Sequence, residues 1–94
     1  MMNSSAHIQT TQASRIAKRL LNHWKHKFDV VDNATLYQIM MPTATILLMP
    51  QTDELVVKIQ VKDAATDLSY LEQVVLDHLS RMAQTELSAV WQHH

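Results

Sequence analysis

The segment HWKHKF, residues 23–28, holds the residues of this chain best suited to chemistry: two histidines three positions apart, set among lysines beside a tryptophan. Residues three apart are neighbours on a helix surface, so the rings of His23 and His26 could approach one ion. An imidazole can also move a proton near neutral pH. Two rings fall short of the three protein ligands of a catalytic zinc site or the four of a structural one. His78 is the natural third candidate, because it falls on the inward stripe of a later helix with Leu71, Val75 and Met82. Side-by-side helices would bring His23 and His78 together at their seam, with Asp77 or Glu72 near enough to orient a ring. The same residues have a purely structural use. His23 would then cover the core edge, His26 would be solvated, and His78 would be bonded to backbone or to a carboxylate. That account is the simpler one, so no metal and no cofactor is assigned, and His23, His26 and His78 stand only as weak metal candidates. His93 and His94 are given no role.

The second chemical resource is charge. Residues 1–28 carry Arg15, Lys18, Arg19, Lys25 and Lys27 and no acid, whereas all nine acids follow Phe28. Arg15, Lys18, Arg19, Lys25 and His26 populate the outward side of the first helix, where they could meet phosphates. Sequence-specific DNA reading would need a recognition motif as well, and none is evident. Single-strand or RNA binding calls for several aromatics on an open sheet face, and Tyr37 is the only mid-sheet one. Alternatively Asp67, Glu72 and Asp77 of the second helix face these bases in a charge seam worth a few tenths of a kcal/mol per pair.

Composition removes several enzyme classes. With no cysteine there is no disulfide scaffold, no cysteine zinc site and no thiol nucleophile. With no glycine there is no Walker loop, no GxGxxG fingerprint and no GxSxG elbow. Ser14, Ser69, Ser80 and Ser88 are scattered, and Asp53-Glu54 sits in a hairpin turn. Catalysis is therefore not the expected activity, although one histidine in an apolar cleft would suffice for proton transfer. MMNSSAHIQTTQ is not a signal peptide. No apolar run approaches the ~20 residues that span a bilayer. The expectation is a small soluble protein, cytoplasmic by default and without a membrane partner.

The elements that must position these residues follow from periodicity. SAHIQT (5–10) alternates as a short strand. Thr11 is placed to cap a helix, and Ala13, Ile16, Ala17, Leu20, Leu21 and Trp24 repeat at helical spacing, with Phe28 extending the stripe. Asp32-Asn33 reads as a turn. TLYQIMM (35–41), TATILLM (43–49) and ELVVKIQV (54–61) read as an antiparallel meander. In the last of these, Leu55, Val57, Ile59 and Val61 lie opposite Lys58 and Gln60. A second helix starts at Asp63 or Thr66 with Leu68, Leu71, Val75, Leu79 and Met82 inward, and LSAVWQ (87–92) alternates as a closing strand. The expected fold is α+β, one domain over 1–94. It is an antiparallel sheet of four or five strands with both helices on one face, in the order β-α-β-β-β-α-β.

HIQTTQASRIAKRLLNHWKHKF, ATILLM, ELVVKIQV and VVLDHLSRMAQTELSAVW together resemble domain-of-unknown-function family 2218, a family of short bacterial proteins, over nearly the whole chain. His23-x-x-His26-Lys27 and His78-Leu79-x-Arg81 are the most specific matches, and the closing segment with Trp91 is less so. Members commonly carry glycine in the middle hairpins and an aromatic where this chain has Met82. The resemblance implies a compact bacterial α+β domain and no assigned activity.

Taken together, these readings point to a non-catalytic binding or accessory domain for a small ligand, with an anion as one option, or for a protein partner. Its working surface would be His23, His26, Lys27 and His78, with Arg15 and Arg19 on the basic face. A metal-handling protein or small enzyme using the three histidines is the alternative, and weak nucleic-acid binding the third. Met40, Met41 and Met49, near strand ends, suit either core filling or a sheet-mediated homodimer.

Overall fold

The computed structural model describes residues 3–33 and 35–94. Its elements are β1 (Asn3–Gln9), α1 (Ala13–Trp24), β2 (Asp29–Asn33), β3 (Leu36–Met40), β4 (Ala44–Pro50), β5 (Glu54–Val61), α2 (Leu68–Ala83) and β6 (Gln92–His93). The six strands form one antiparallel sheet in the order β2-β3-β4-β5-β1-β6, so the expected α+β architecture gains one strand, β2, at an edge.

Both helices lie on the face of the sheet that presents Ile8, Tyr37, Ile39, Ile46, Leu48, Leu55, Val57 and Ile59. The apolar stripe of α1 is buried in full, from Ala13 through Trp24. A helix of 12 residues is marginal in isolation, so it is this burial that holds it. α1 contacts β3, β4 and β5, while α2 lies alongside α1 and buries Leu71, Val75 and Leu79. The other face of the sheet alternates outward, with Val56 half-buried and Lys58 and Gln60 exposed, as a one-sided strand requires.

Several local expectations are corrected. Asp32 and Asn33 are not a turn but the end of β2, paired with Tyr37 and Leu36. β2 is an edge strand, and Asp29 and Asp32, both exposed, suit the need to discourage a further strand from adding there. Thr11 is not the cap of α1. That position is Gln12, which makes no side-chain cap bond, and Thr10 Oγ1 accepts the Gln12 N–H at 3.1 Å. The cap of α2 is Asp67, whose carboxylate accepts the Tyr70 N–H at 3.1 Å, while Asp63 closes a turn one step earlier by accepting from Ala65 N–H at 2.9 Å. In the closing segment, Leu87, Ala89 and Trp91 are half-buried against the core and Ser88 and Val90 are exposed, yet only Gln92 and His93 form a strand.

Without glycine, positive φ is costly and negative φ is the favoured way to turn a corner. Among the described residues only Gln84 has φ above zero, at 58°, where it ends α2 in the left-handed conformation. The Gln84 N–H donates to the Arg81 carbonyl and the Thr85 N–H to the Ser80 carbonyl, each at 3.2 Å, closing the helix in the manner usually given to glycine. The β3–β4 hairpin carries Pro42 and closes where the Met41 N–H donates to the Ala44 carbonyl at 2.9 Å. Proline's fixed negative φ suits such a turn. A left-handed residue with a Cβ costs about 1–2 kcal/mol, part of which glycine's extra chain entropy would offset. Gln84→Gly is therefore expected to stabilise the protein by about 0.5–1 kcal/mol, read as a higher urea midpoint at unchanged slope.

Candidate functional site

The residues singled out by type fall into three places. The first is the seam between the helices. His23, exposed in the last turn of α1, and His78, half-buried in the middle of α2, have ring centroids 5.7 Å apart. Trp24 stands with its ring 4.9 Å from that of His78 and 6.1 Å, edge to face, from that of Phe28. His78 Nδ1 lies 2.7 Å from the Val74 carbonyl one turn earlier. A carbonyl only accepts, so Nδ1 carries the proton and donates, which leaves Nε2 free of it in the neutral ring.

The second place is a cleft of about 520 Å³ where the chain leaves α1 and turns into β2. Lys25, His26, Lys27, Phe28 and Asp29 form one wall, Met40, Met41 and Pro42 another, and Lys62 reaches in from the end of β5. α1 ends at Trp24, but the Lys27 and Phe28 N–H groups still donate to its carbonyl, at 3.0 and 2.8 Å, so HKF is wound as a final turn. Lys27 Nζ sits 5.5 Å from the centre of the Phe28 ring, a cation–π contact. Lys62 Nζ donates to the Met41 carbonyl at 3.2 Å, and the Lys62 N–H donates to the Thr43 carbonyl at 2.8 Å. The third lysine is thus tied to the β3–β4 turn, while Lys25 and Lys27 are exposed at the cleft rim.

The third place is a smaller groove of about 200 Å³ between the start of α1 and the end of α2, lined by Arg15, Arg19, Met82 and Gln84 among others. Arg19 donates to the Met82 carbonyl at 3.0 Å and so satisfies an orphan carbonyl of the last turn of α2. Arg15 reaches back to Gln12 Oε1 at 3.3 Å. These arginines are far along α1 from His26 and Lys27, and the continuous basic face expected of this helix is divided between two grooves.

The expected charge seam between α1 and α2 is also absent among the described residues, whose ion pairs are His7 with Glu54 and His93 with Glu72. Glu72 is buried and faces β1 and β6. Its Oε2 accepts from Ser4 Oγ at 2.5 Å and lies 2.7 Å from His93 Nε2. Asp77 accepts instead from Gln73 on its own helix. His93 and His94, given no role from sequence, hold β6 to β1: the His94 N–H donates to the Asn3 carbonyl at 2.8 Å, and His94 Nε2 lies 2.8 Å from Ser5 Oγ. Lys62 and Glu72 are among the polar residues whose placement was missed, since both depend on contacts distant in the chain.

His23, His26 and His78 do not converge. His26 lines the cleft, the other two face each other at the seam, and among the described residues no three His, Cys, Asp or Glu side chains form a group that could hold a metal. No described helix is long and apolar enough to cross a membrane.

The fold is that of a small α+β protein with two helices on one face of an open antiparallel sheet. The chain belongs to the family described as uncharacterized protein conserved in bacteria (DUF2218), whose model matches residues 5–92. It is similar to the protein in the NMR structure of PA4090 from Pseudomonas aeruginosa, with a TM-score of 0.80 and 32% sequence identity over 98% of this chain and 96% of that one. No protein of curated function matches it.

The polar contacts separate residues that hold the fold from residues free to bind. Glu72→Ala would strand the buried Ser4 hydroxyl and remove the tether of His93, an expected loss of about 2–3 kcal/mol in urea unfolding. Exposed His26 has no such duty, and His26→Ala should stay within about 0.5 kcal/mol of the parent.

Proposed function

We propose that the protein is a non-catalytic binding or accessory domain that takes a small anion, of phosphate or carboxylate type, in the cleft at the end of α1. The observation that carries this reading is the convergence of Lys25, Lys27 and Lys62, from two distant parts of the chain, with His26 on one cleft that holds a single aspartate. Lysine ammonium groups are point charges with three donors each, suited to oxyanions in a partly open site. Phe28, Met40, Met41 and Pro42 give the cleft an apolar side, against which the carbon frame of an organic anion would pack. The separation of Arg15 and Arg19 into another groove leaves a point-like positive surface, which favours a small anion over a polyanion that needs a track of phosphate contacts. Three charge-assisted hydrogen bonds at about 1.5 kcal/mol each correspond to dissociation constants of roughly a millimolar or somewhat tighter.

The test is a titration of the ¹⁵N-labelled protein with inorganic phosphate and pyrophosphate, followed by amide NMR. Shifts are expected at Lys25 to Asp29, at Met41 and at Lys62, diminishing at high salt because exposed charges are screened beyond about 3 Å at 1 M. Lys27→Glu with Lys62→Glu should weaken the response at least tenfold. A map centred instead on Arg15, Arg19 and Gln84, or no saturable shift with either anion, would remove the cleft as the working surface.

A further inference from the structure

We infer that His23 and His78 form an open transition-metal site across the seam between the two helices, for which copper(II) is the preferred ion. This site is separate from the anion cleft: neither histidine lines that cleft, and His26, which does, takes no part in the seam.

The geometry begins with His78. Its Nδ1–H is engaged by the Val74 carbonyl at 2.7 Å, which fixes both the tautomer and the ring plane and leaves the Nε2 lone pair available. Ligating histidines in proteins carry the same support, one ring nitrogen on the metal and the other N–H on a carbonyl or carboxylate. His23 approaches from the other helix, exposed and therefore free to turn its ring. Imidazole nitrogens bind such ions at about 2.0–2.1 Å, which places each ring centroid about 3.1 Å from the metal. Centroids 5.7 Å apart then subtend about 130° at a shared ion, and turning the exposed His23 ring brings the pair toward two adjacent positions of the tetragonal geometry that copper(II) favours.

Two features set the kind of site. With no third histidine, cysteine or carboxylate grouped with the pair among the described residues, water completes the coordination. Such a site exchanges its metal, unlike a closed four-ligand structural zinc centre. Nitrogen ligands without thiolate follow the general order of divalent affinities, in which copper(II) stands above nickel(II) and zinc(II). The seam itself is stiff, because Trp24 packs on His78 from the core side and both histidines sit on helices.

Trp24 also supplies the readout. Its ring lies 4.9 Å from that of His78, so a paramagnetic ion at the seam broadens the Trp24 indole signal. The experiment titrates copper(II) chloride into the ¹⁵N-labelled protein. Selective loss of the Trp24 indole and of amides near His23 and His78 is expected below one equivalent, reversed by EDTA. Zinc(II) should shift the same signals with at least tenfold weaker affinity. His23→Gln, at an exposed position that spares the core, should weaken the copper effect at least tenfold, and His26→Gln and His94→Gln should leave it unchanged. Electron paramagnetic resonance at one equivalent should report two imidazole nitrogens. The inference is overturned by unchanged copper broadening in His23→Gln, by broadening centred on the histidines of the chain ends, or by the absence of saturable binding below about 100 µM copper.

Discussion

Trp24 stands where the three parts of this structure meet. It is the last residue of α1 and the last of that helix's buried stripe, so its position is set by the packing of the whole helix on the sheet. From there its ring reaches His78 on α2 in one direction and Phe28 in the other, where the chain enters β2. Its carbonyl accepts the N–H groups of Lys27 and Phe28 and so winds the segment that walls the cleft at the end of α1. An indole buries a large apolar area, and paired rings in tilted or edge-to-face contact add about 0.5–1.5 kcal/mol each beyond that burial. Seam and cleft therefore share one anchor, although they recruit different histidines.

The absence of glycine is the second constraint. Tight two-residue hairpins of the most favoured kind need positive φ, which residues with a Cβ adopt at a cost. This chain sets Pro42 in its β3–β4 turn, and its single described positive φ falls at Gln84. The β3–β4 turn has a use: its carbonyls at Met41 and Thr43 receive the side chain and backbone of Lys62. The third lysine of the cleft is held by a turn whose shape follows from composition.

What was legible in the sequence divides along physical lines. The stripe of α1 could be read residue by residue, because burial against a flat sheet selects one helical face, whereas the seam contact of His23 with His78 stayed conditional on the two helices lying side by side. β2 was hidden because it is an exposed edge: DVVDN lacks the alternation that a buried face imposes, and Asp-Asn resembles a turn. LSAVWQ misled in the opposite sense. Its alternation is real and reports an extended segment with Leu87, Ala89 and Trp91 against the core, but one-sided burial does not require ladder hydrogen bonds. Lys62 could not be assigned to the cleft without the β4–β5 register that pairs Val61 with Ala44. Glu72 looked like an exposed partner for the bases of α1, and its burial under β1 and β6 depends on Ser4 and His93, far away at either end of the chain.

The account rests on Trp24 joining core, seam and cleft, and the most direct measurement of that is a nuclear Overhauser spectrum of the aromatic protons in the native protein. With centroids 4.9 and 6.1 Å away, cross-peaks from the Trp24 indole to the ring protons of both His78 and Phe28 are the predicted result. Cross-peaks to Phe28 without any to His78, or to neither ring, would contradict it, because Trp24 would then not join the seam to the segment that walls the cleft.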